Sequence, residues 1–173
     1  MRFFTEVETA VGPLAFVWDD DALGVDAAGR VCRGAVTWSK FRGTAPANVQ
    51  RVSAREATGD LADVIAAVRR WNRGEADALD PVPVLQAGSE FRQRVWQALR
   101  QVPGGDVVSY AELAERAGSP QAVRAVGTTM AVNSVAPFVP CHRVVRNDGS
   151  LGNYAYGVAM KETLLVREGV AFQ

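Results

Sequence analysis

Apolar residues follow a strand-like pattern early in the chain and a helix-like one later. The stretches "FFTEVETAVG" (3–12) and "PLAFVW" (13–18) are rich in β-branched and aromatic residues and predict two strands, with Gly12-Pro13 as the turn between them. "DDD" (19–21) reads as the next turn and "ALGVDAAG" (22–29) as a third short strand. Residues 32–52 have no clear period and contain "RGTAPAN", which predicts a loop with room for one more strand. The spacing then changes to three and four. Leu61, Val64, Ile65, Val68 and Trp71 mark one face of a helix, expected to open at Ser53 through a Ser53-x-x-Glu56 capping box and to close at Gly74. "EADALDPVPVLQAG" (75–88) has two prolines and no period, and reads as a linker.

The second half is more strongly helical. Phe91, Val95, Leu99 and Val102 share a face that ends at Pro103-Gly104-Gly105. A second capping box, Ser109-x-x-Glu112, opens a helix that closes at Gly118, and Ser119 with Pro120 predicts the start of another. Two short helices joined through a glycine give the outline of a helix-turn-helix, and equally of an αα-corner with no role in DNA binding. The latter helix carries small residues at Ala122, Ala125 and Gly127 beside one long cation, Arg124. A glycine inside a helix costs about 1 kcal/mol relative to alanine. Close approach of a nucleic acid backbone or of a neighbouring helix would each account for Gly127. "RNDGS" (146–150) is a turn, "LGNYAYG" (151–157) a loop, and "AMKETLLVREG" (159–169) a last helix with Leu164 and Leu165 inward and Gly169 at its C-terminus.

Length and composition narrow the class. The chain has 173 residues, 48% hydrophobic and 22% charged, which fits a globular protein of one domain or two small ones. No apolar run approaches the roughly 18 to 20 residues of a membrane span. Thr5, Glu6 and Glu8 interrupt the apolar start, so no signal peptide is expected. Two cysteines make no disulfide framework and suggest a reducing, cytoplasmic setting. Cys32, Cys141 and His142 cannot supply four zinc ligands, so neither metal nor cofactor is expected. Net charge is zero; residues 1–89 hold 10 basic and 12 acidic groups (−2), and residues 90–173 hold 9 and 7 (+2). That balance argues against binding nucleic acid mainly by electrostatics, yet permits a role for the second half.

The chemistry concentrates in "VPCHRVV" (139–145), where Cys141 stands beside the only histidine, His142. In a regular strand the two side chains would point to opposite faces. They can cooperate only if the backbone turns, as Pro140 allows; otherwise Cys141 is a buried small hydrophobe.

Further segments bear on that choice: "FRQRVW" (91–96), "SYAELA" (109–114), "RAVG" (124–127), Asn133, "PCHRVV" (140–145), "GNY" (152–154), and Lys161-Glu162-x-Leu164-Leu165 followed by Glu168-Gly169. Their order and spacing over roughly 80 residues resemble the O6-alkylguanine-DNA alkyltransferases, also called methylated-DNA–protein-cysteine methyltransferases. "GPLAF" (12–16) and "RRWNRGE" (69–75) fit the variable N-terminal part of that family.

The resemblance implies a small α/β N-terminal domain over residues 1–78 (an antiparallel sheet plus helix, ribonuclease-H-like), a linker at 79–88, and a mostly α-helical C-terminal domain over 89–173 with a winged-helix-like helix-turn-helix. It implies a single-turnover methyltransferase that repairs double-stranded DNA. The alkyl group of a flipped-out O6-alkylguanine, or O4-alkylthymine, moves to Cys141. His142 acts as base through a water, oriented by Glu168; Tyr110 donates toward guanine N3; Asn133 is the hinge. Arg124 fills the space left by the flipped base, while Ala122, Ala125, Gly127 and Thr128 lie in the minor groove. Met130, Val144, Tyr154, Ala155, Tyr156 and Lys161 line the substrate pocket, with the Cys141 and Val144 carbonyls accepting from the guanine amine. A cytoplasmic monomer, able to pack cooperatively on DNA, is the corresponding expectation.

Three positions depart from the family pattern: Ser134 and Ala136 replace prolines, and Tyr156 replaces a glycine. A bulky Tyr156 is expected to disfavour large adducts, which a comparison of methyl and benzyl repair rates would test. A non-enzymatic sensor of alkylated bases would lack Cys141, and an alkylation-responsive transcription regulator would carry an extra domain. A cysteine hydrolase would turn over on a small substrate.

Overall fold

The first strand buries Phe4, Thr5 and Val7 on its two faces and exposes Glu6, and in the structure, a computed structural model described here for residues 1–172, it is an inner strand of a four-stranded sheet. Strand β1 (Arg2–Val7) pairs antiparallel with β2 (Leu14–Val25), β2 pairs antiparallel with β3 (Val31–Phe41), and the two-residue β4 (Gln50–Arg51) lies parallel to β1. The sheet order is β3-β2-β1-β4. The central strand β2 is buried over all of Leu14–Trp18, as a strand covered on both faces must be. Helix α1 (Gly59–Asn72) buries Leu61, Val64, Ile65, Val68 and Trp71, the periodic face expected from the sequence.

Several boundaries differ from the sequence reading. Asp19–Asp21 do not form a turn; they continue β2 through a register irregularity between Asp19 and Leu23. The strand tolerates them because that stretch is exposed and its charges are met. Trp18 Nε1 donates to Asp20, while the N-terminal amine and Arg33 pair with Asp21. Residues 31–41 are the further strand for which the loop expected over 32–52 left room, longer than expected and with its period broken at Gly34. There φ is +84°, and an added Cβ would stand 2.2 Å from the Trp18 ring. Helix α1 opens at Thr58 rather than Ser53, because the Ser53 hydroxyl bonds the Glu56 carboxylate instead of a backbone N–H.

The chain divides into two compact units, Met1–Gln86 with Ser134–Phe138 and Ala87–Asn133 with Val139–Gln173. The segment expected as a linker at 79–88 is therefore not a free connector. Val84 N–H donates to Val25, Val36 N–H donates to Pro83, and Ala27 N–H donates to Asp80, which joins residues 80–84 to the first unit. The mixed α/β architecture of a small sheet with helices is what the sequence predicts at the coarser level.

The second unit contains α2 (Glu90–Arg100), α3 (Tyr110–Arg116), α4 (Val123–Ala131) and α5 (Val158–Arg167), with a two-stranded parallel pair of β5 (Val108–Ser109) and β6 (Val144–Val145). Ser89 caps α2, and the Ser109–Glu112 capping box forms in full at α3. Helix α4 begins at Val123, three residues later than Pro120 suggests; Ala122 N–H is held in a turn by the Ser119 carbonyl, and Ala122 itself is the N-cap. Gly169, at φ +92°, stands just beyond the end of α5. Among the described residues no helix is long and apolar enough to cross a membrane.

Candidate active site

Pro140 bends the chain into a single 3-10 turn over Cys141–Arg143, closed by Arg143 N–H donating to Pro140 O at 2.9 Å. The strand geometry that would have set Cys141 and His142 on opposite faces is thereby absent. Pairing of β5 with β6 matches Val108 to Val144 and Ser109 to Val145. It fixes the first residue of α3, Tyr110, beside the turn that carries the thiol.

His142 is fully buried, with Nε2 2.5 Å from Glu168 Oε1 at the C-terminal cap of α5. Arg143 grips the same carboxylate, with Nε 3.1 Å from Oε1 and an η nitrogen 2.5 Å from Oε2, and its other η nitrogen donates to Val102 O at 2.8 Å. Burial would raise the Glu168 pKa, but His142 and Arg143 outweigh it and hold the group at about 2. An ionised carboxylate only accepts, so Nε2 carries a proton, and Nδ1 is the ring nitrogen able to take up another. Nδ1 is buried and has no hydrogen-bond partner among the described residues.

Cys141 is partly exposed. Burial of its sulfur pushes the thiol pKa up, opposed by a hydrogen bond with Asn133 and the charge of Lys161. A thiol held neutral until a base removes its proton suits a site that must not react at random. Asn133 Nδ2 also donates to Val139 O at 2.9 Å, and Cys141 N–H donates to that same carbonyl at 2.9 Å. The residue expected as a hinge therefore ties the end of α4 to the nucleophile's backbone.

Lys161 does not face solvent. It is fully buried and donates to the carbonyls of Val144 at 2.6 Å, Asn153 at 3.2 Å and Leu151. Desolvation lowers its pKa to about 8, though the nearby Cys141 opposes that. Val144 O, expected as an acceptor for a base, already accepts from Lys161 and keeps one lone pair. Tyr110 is half-buried, its phenol pKa raised by burial and by Cys141. Gly152, at φ +72°, lets the loop close on Tyr110: an added Cβ would lie 3.3 Å from the Arg146 side chain and 3.7 Å from Tyr110 Oη. Tyr154 Oη is buried without a hydrogen-bond partner among the described residues, and the Tyr154 and Tyr156 rings pack 5.5 Å apart at 59°. Met130 is half-buried on α4, and Ala155 is exposed in the loop.

On α4, Arg124, Ala125 and Thr128 are exposed, and an added Cβ at Gly127 meets nothing within 4 Å. Packing of a neighbouring helix, the alternative account of Gly127, is not what surrounds it. Arg143 is the functional candidate missed in the sequence. The signal was available: an arginine between His142 and two valines, in a run that reads as buried, demands an anion. Among the described residues no group of three His, Cys, Asp or Glu could hold a metal ion.

The second unit thus presents a thiol beside a buried Glu–His pair and, on α4, an exposed face with small residues. Residues 90–170 match the family model "6-O-methylguanine DNA methyltransferase, DNA binding domain". The constitutive methylated-DNA–protein-cysteine methyltransferase of Bacillus subtilis is 35% identical over 155 residues, covering 90% of this chain and 87% of that protein. The bifunctional transcriptional activator and DNA repair enzyme Ada of Escherichia coli is 52% identical over 87 residues, 50% of this chain; the match spans only 25% of that longer protein. The crystal structure of Mycobacterium tuberculosis OGT in complex with DNA superposes with a TM-score of 0.73 at 27% identity, covering 96% of this chain and 92% of the other. The chain belongs to the methylated-DNA–protein-cysteine methyltransferase family.

Proposed function

We propose that the protein repairs alkylated DNA by moving the alkyl group of O6-alkylguanine, and of O4-alkylthymine, onto Cys141 once per molecule. One observation carries the reading: a thiol adjoins a histidine whose Nε2 is fixed by an ionised carboxylate and whose Nδ1 is buried with no hydrogen-bond partner among the described residues. The Cys141 proton passes through a water to Nδ1, and Glu168 stabilises the resulting imidazolium. The thiolate attacks the alkyl carbon; the S–C bond forms as the C–O6 bond breaks, and the electron pair leaves with guanine. Tyr110 donates toward N3, which makes the base a better leaving group. No step regenerates the thiol from a thioether.

The lesion is reached by flipping the base. The open face of α4 supports entry into the minor groove, with Ala122, Ala125, Gly127 and Thr128 against the backbones and Arg124 filling the stack. Met130, Tyr154, Ala155 and Tyr156 then border the base, the Cys141 and Val144 carbonyls accept from its amine, and Lys161 holds the Val144 carbonyl and the loop in place. The same reading takes the first unit as ribonuclease-H-like, the second as a winged-helix-like domain for DNA binding and transfer, and the protein as a cytoplasmic monomer able to pack cooperatively on DNA.

The test is mass spectrometry of the protein digested after incubation with excess duplex bearing one O6-methylguanine. One methyl group on the Cys141 peptide, with no further uptake, is the expected result. Unmodified Cys141 with intact DNA binding would instead make the protein a sensor of the lesion.

A further inference from the structure

The segment Ser134–Phe138 runs between Asn133 and Val139, the two residues whose hydrogen bond braces the turn of Cys141, yet it packs as part of the first unit. Its hold there is specific. Gln86 Oε1 accepts from both the Ser134 N–H at 3.0 Å and the Ser134 hydroxyl at 3.2 Å. Ser39 N–H donates to Ser134 O at 2.9 Å, and its hydroxyl donates to Ala136 O at 2.7 Å. The Phe138 ring meets Phe16 edge-on at 5.7 Å. Gln86 and Ser39 are both buried, at 7% and 3% exposure, so water cannot readily replace either partner.

We propose that Gln86, with Ser39, is a positioning residue for the nucleophile: it fixes the strap 134–138 and through it the Asn133–Val139–Cys141 turn. The inference rests on the alkyl transfer proposed above. The physical case is one of substitution. A proline at position 134 would stiffen the strap through its ring but has no N–H to give. Serine leaves the strap more conformational freedom, and here the lost stiffness is supplied from outside by one amide oxygen taking both of the residue's donors. The effect reaches the sulfur because Val139 O receives both the Asn133 side chain and the Cys141 N–H. A strap that shifts moves the carbonyl to which the nucleophile's own backbone is bonded, and a misplacement of about 1 Å can cost up to about a hundredfold in rate.

The experiment is a double-mutant cycle of Gln86→Leu and Ser134→Pro, read as the single-turnover rate of methyl transfer from an O6-methylguanine duplex. Half-saturating duplex concentration and thermal midpoint are measured in parallel. Gln86→Leu should lower the rate at saturating duplex about tenfold and leave the half-saturating concentration unchanged. In the Ser134→Pro background, where the donors are gone, the same change should cost less than about twofold. Ser39→Ala, which removes only one bond, serves where Gln86→Leu fails to fold; it should slow transfer with the same split. Equal costs of Gln86→Leu in both backgrounds, an unchanged rate in Gln86→Leu, or a loss confined to duplex binding would overturn the proposal. If the parent protein transfers no methyl group, the functional reading itself has failed, and that outcome is distinct from all of these.

Discussion

Glu168 holds Arg143 and His142 at once, and the consequence is measurable as pH dependence. Its pKa in the folded protein is about 2, against an ordinary value of 4.5. A carboxylate with a depressed folded pKa adds stability that is complete above its unfolded pKa and is lost as pH falls through the folded one. The gap corresponds to about 3 kcal/mol, of which roughly 2 kcal/mol is gone by pH 3. Glu168→Gln should therefore be less stable than the parent at pH 6, because it leaves the buried Arg143 without its anion and weakens the hydrogen bond from His142 Nε2. The difference should narrow as both are taken to pH 3. Urea unfolding of the two proteins at both pH values checks this. Asp21, Asp26 and Asp148 are also held below the usual carboxylate range, but they are common to both proteins and cancel in the difference. A constant gap between pH 6 and pH 3 would mean that the ion pair does not keep Glu168 ionised. The proton assigned to His142 Nε2 would then lose its basis.

Helix α4 is built against its own stability. Gly127 faces open space, so Gly127→Ala should raise stability by about 1 kcal/mol, or roughly 2–4 °C in thermal midpoint. The same methyl group should weaken binding to duplex, because the open face is where a groove would have to fit. Calorimetry and a binding titration on one variant would show the two changes in opposite directions. The anomaly was readable in the sequence, since a glycine amid a good helical pattern asks for a cause, but a nucleic acid backbone and a neighbouring helix stood there as equal accounts of it. Other element-scale features were readable for the same reason: the capping box at Ser109, the α1 face from Leu61 to Trp71, and Gly169 beyond α5 each encode a local rule that tertiary packing leaves intact. What escaped were features decided by distant partners. The Asp19–Asp21 run stays in a strand only because its charges are met elsewhere, and Ser53 prefers a side chain to the backbone N–H that would start a helix. The His142–Glu168 pair was expected on the strength of family resemblance, while Arg143 and the three-carbonyl hold of Lys161 follow only from seeing which groups burial brings together.

At the scale of the whole molecule, the zero net charge sets how the protein must bind DNA. A protein that neutralises Z phosphates loses affinity with salt at a logarithmic slope of about 0.9Z, and strongly basic binders fall by about a thousandfold or more between 50 and 200 mM. This chain has 19 basic and 19 acidic residues, with a surplus of only two cations in its second half. Its grip on a duplex should come from shape, from α4 in the minor groove, and from stacking of the flipped base, none of which releases counterions in proportion. The expected slope is about 3 or less, a fall of under about a hundredfold over that salt range, measured with duplex containing O6-methylguanine. Arg124 is exposed on α4, and its proposed place is inside the stack rather than on a phosphate. Arg124→Ala should therefore lower affinity for the lesion duplex while leaving the slope nearly unchanged. A slope that drops by about one on removing Arg124 would assign it to the DNA backbone instead. In that event some other group would have to hold the partner base left behind when the lesion turns out.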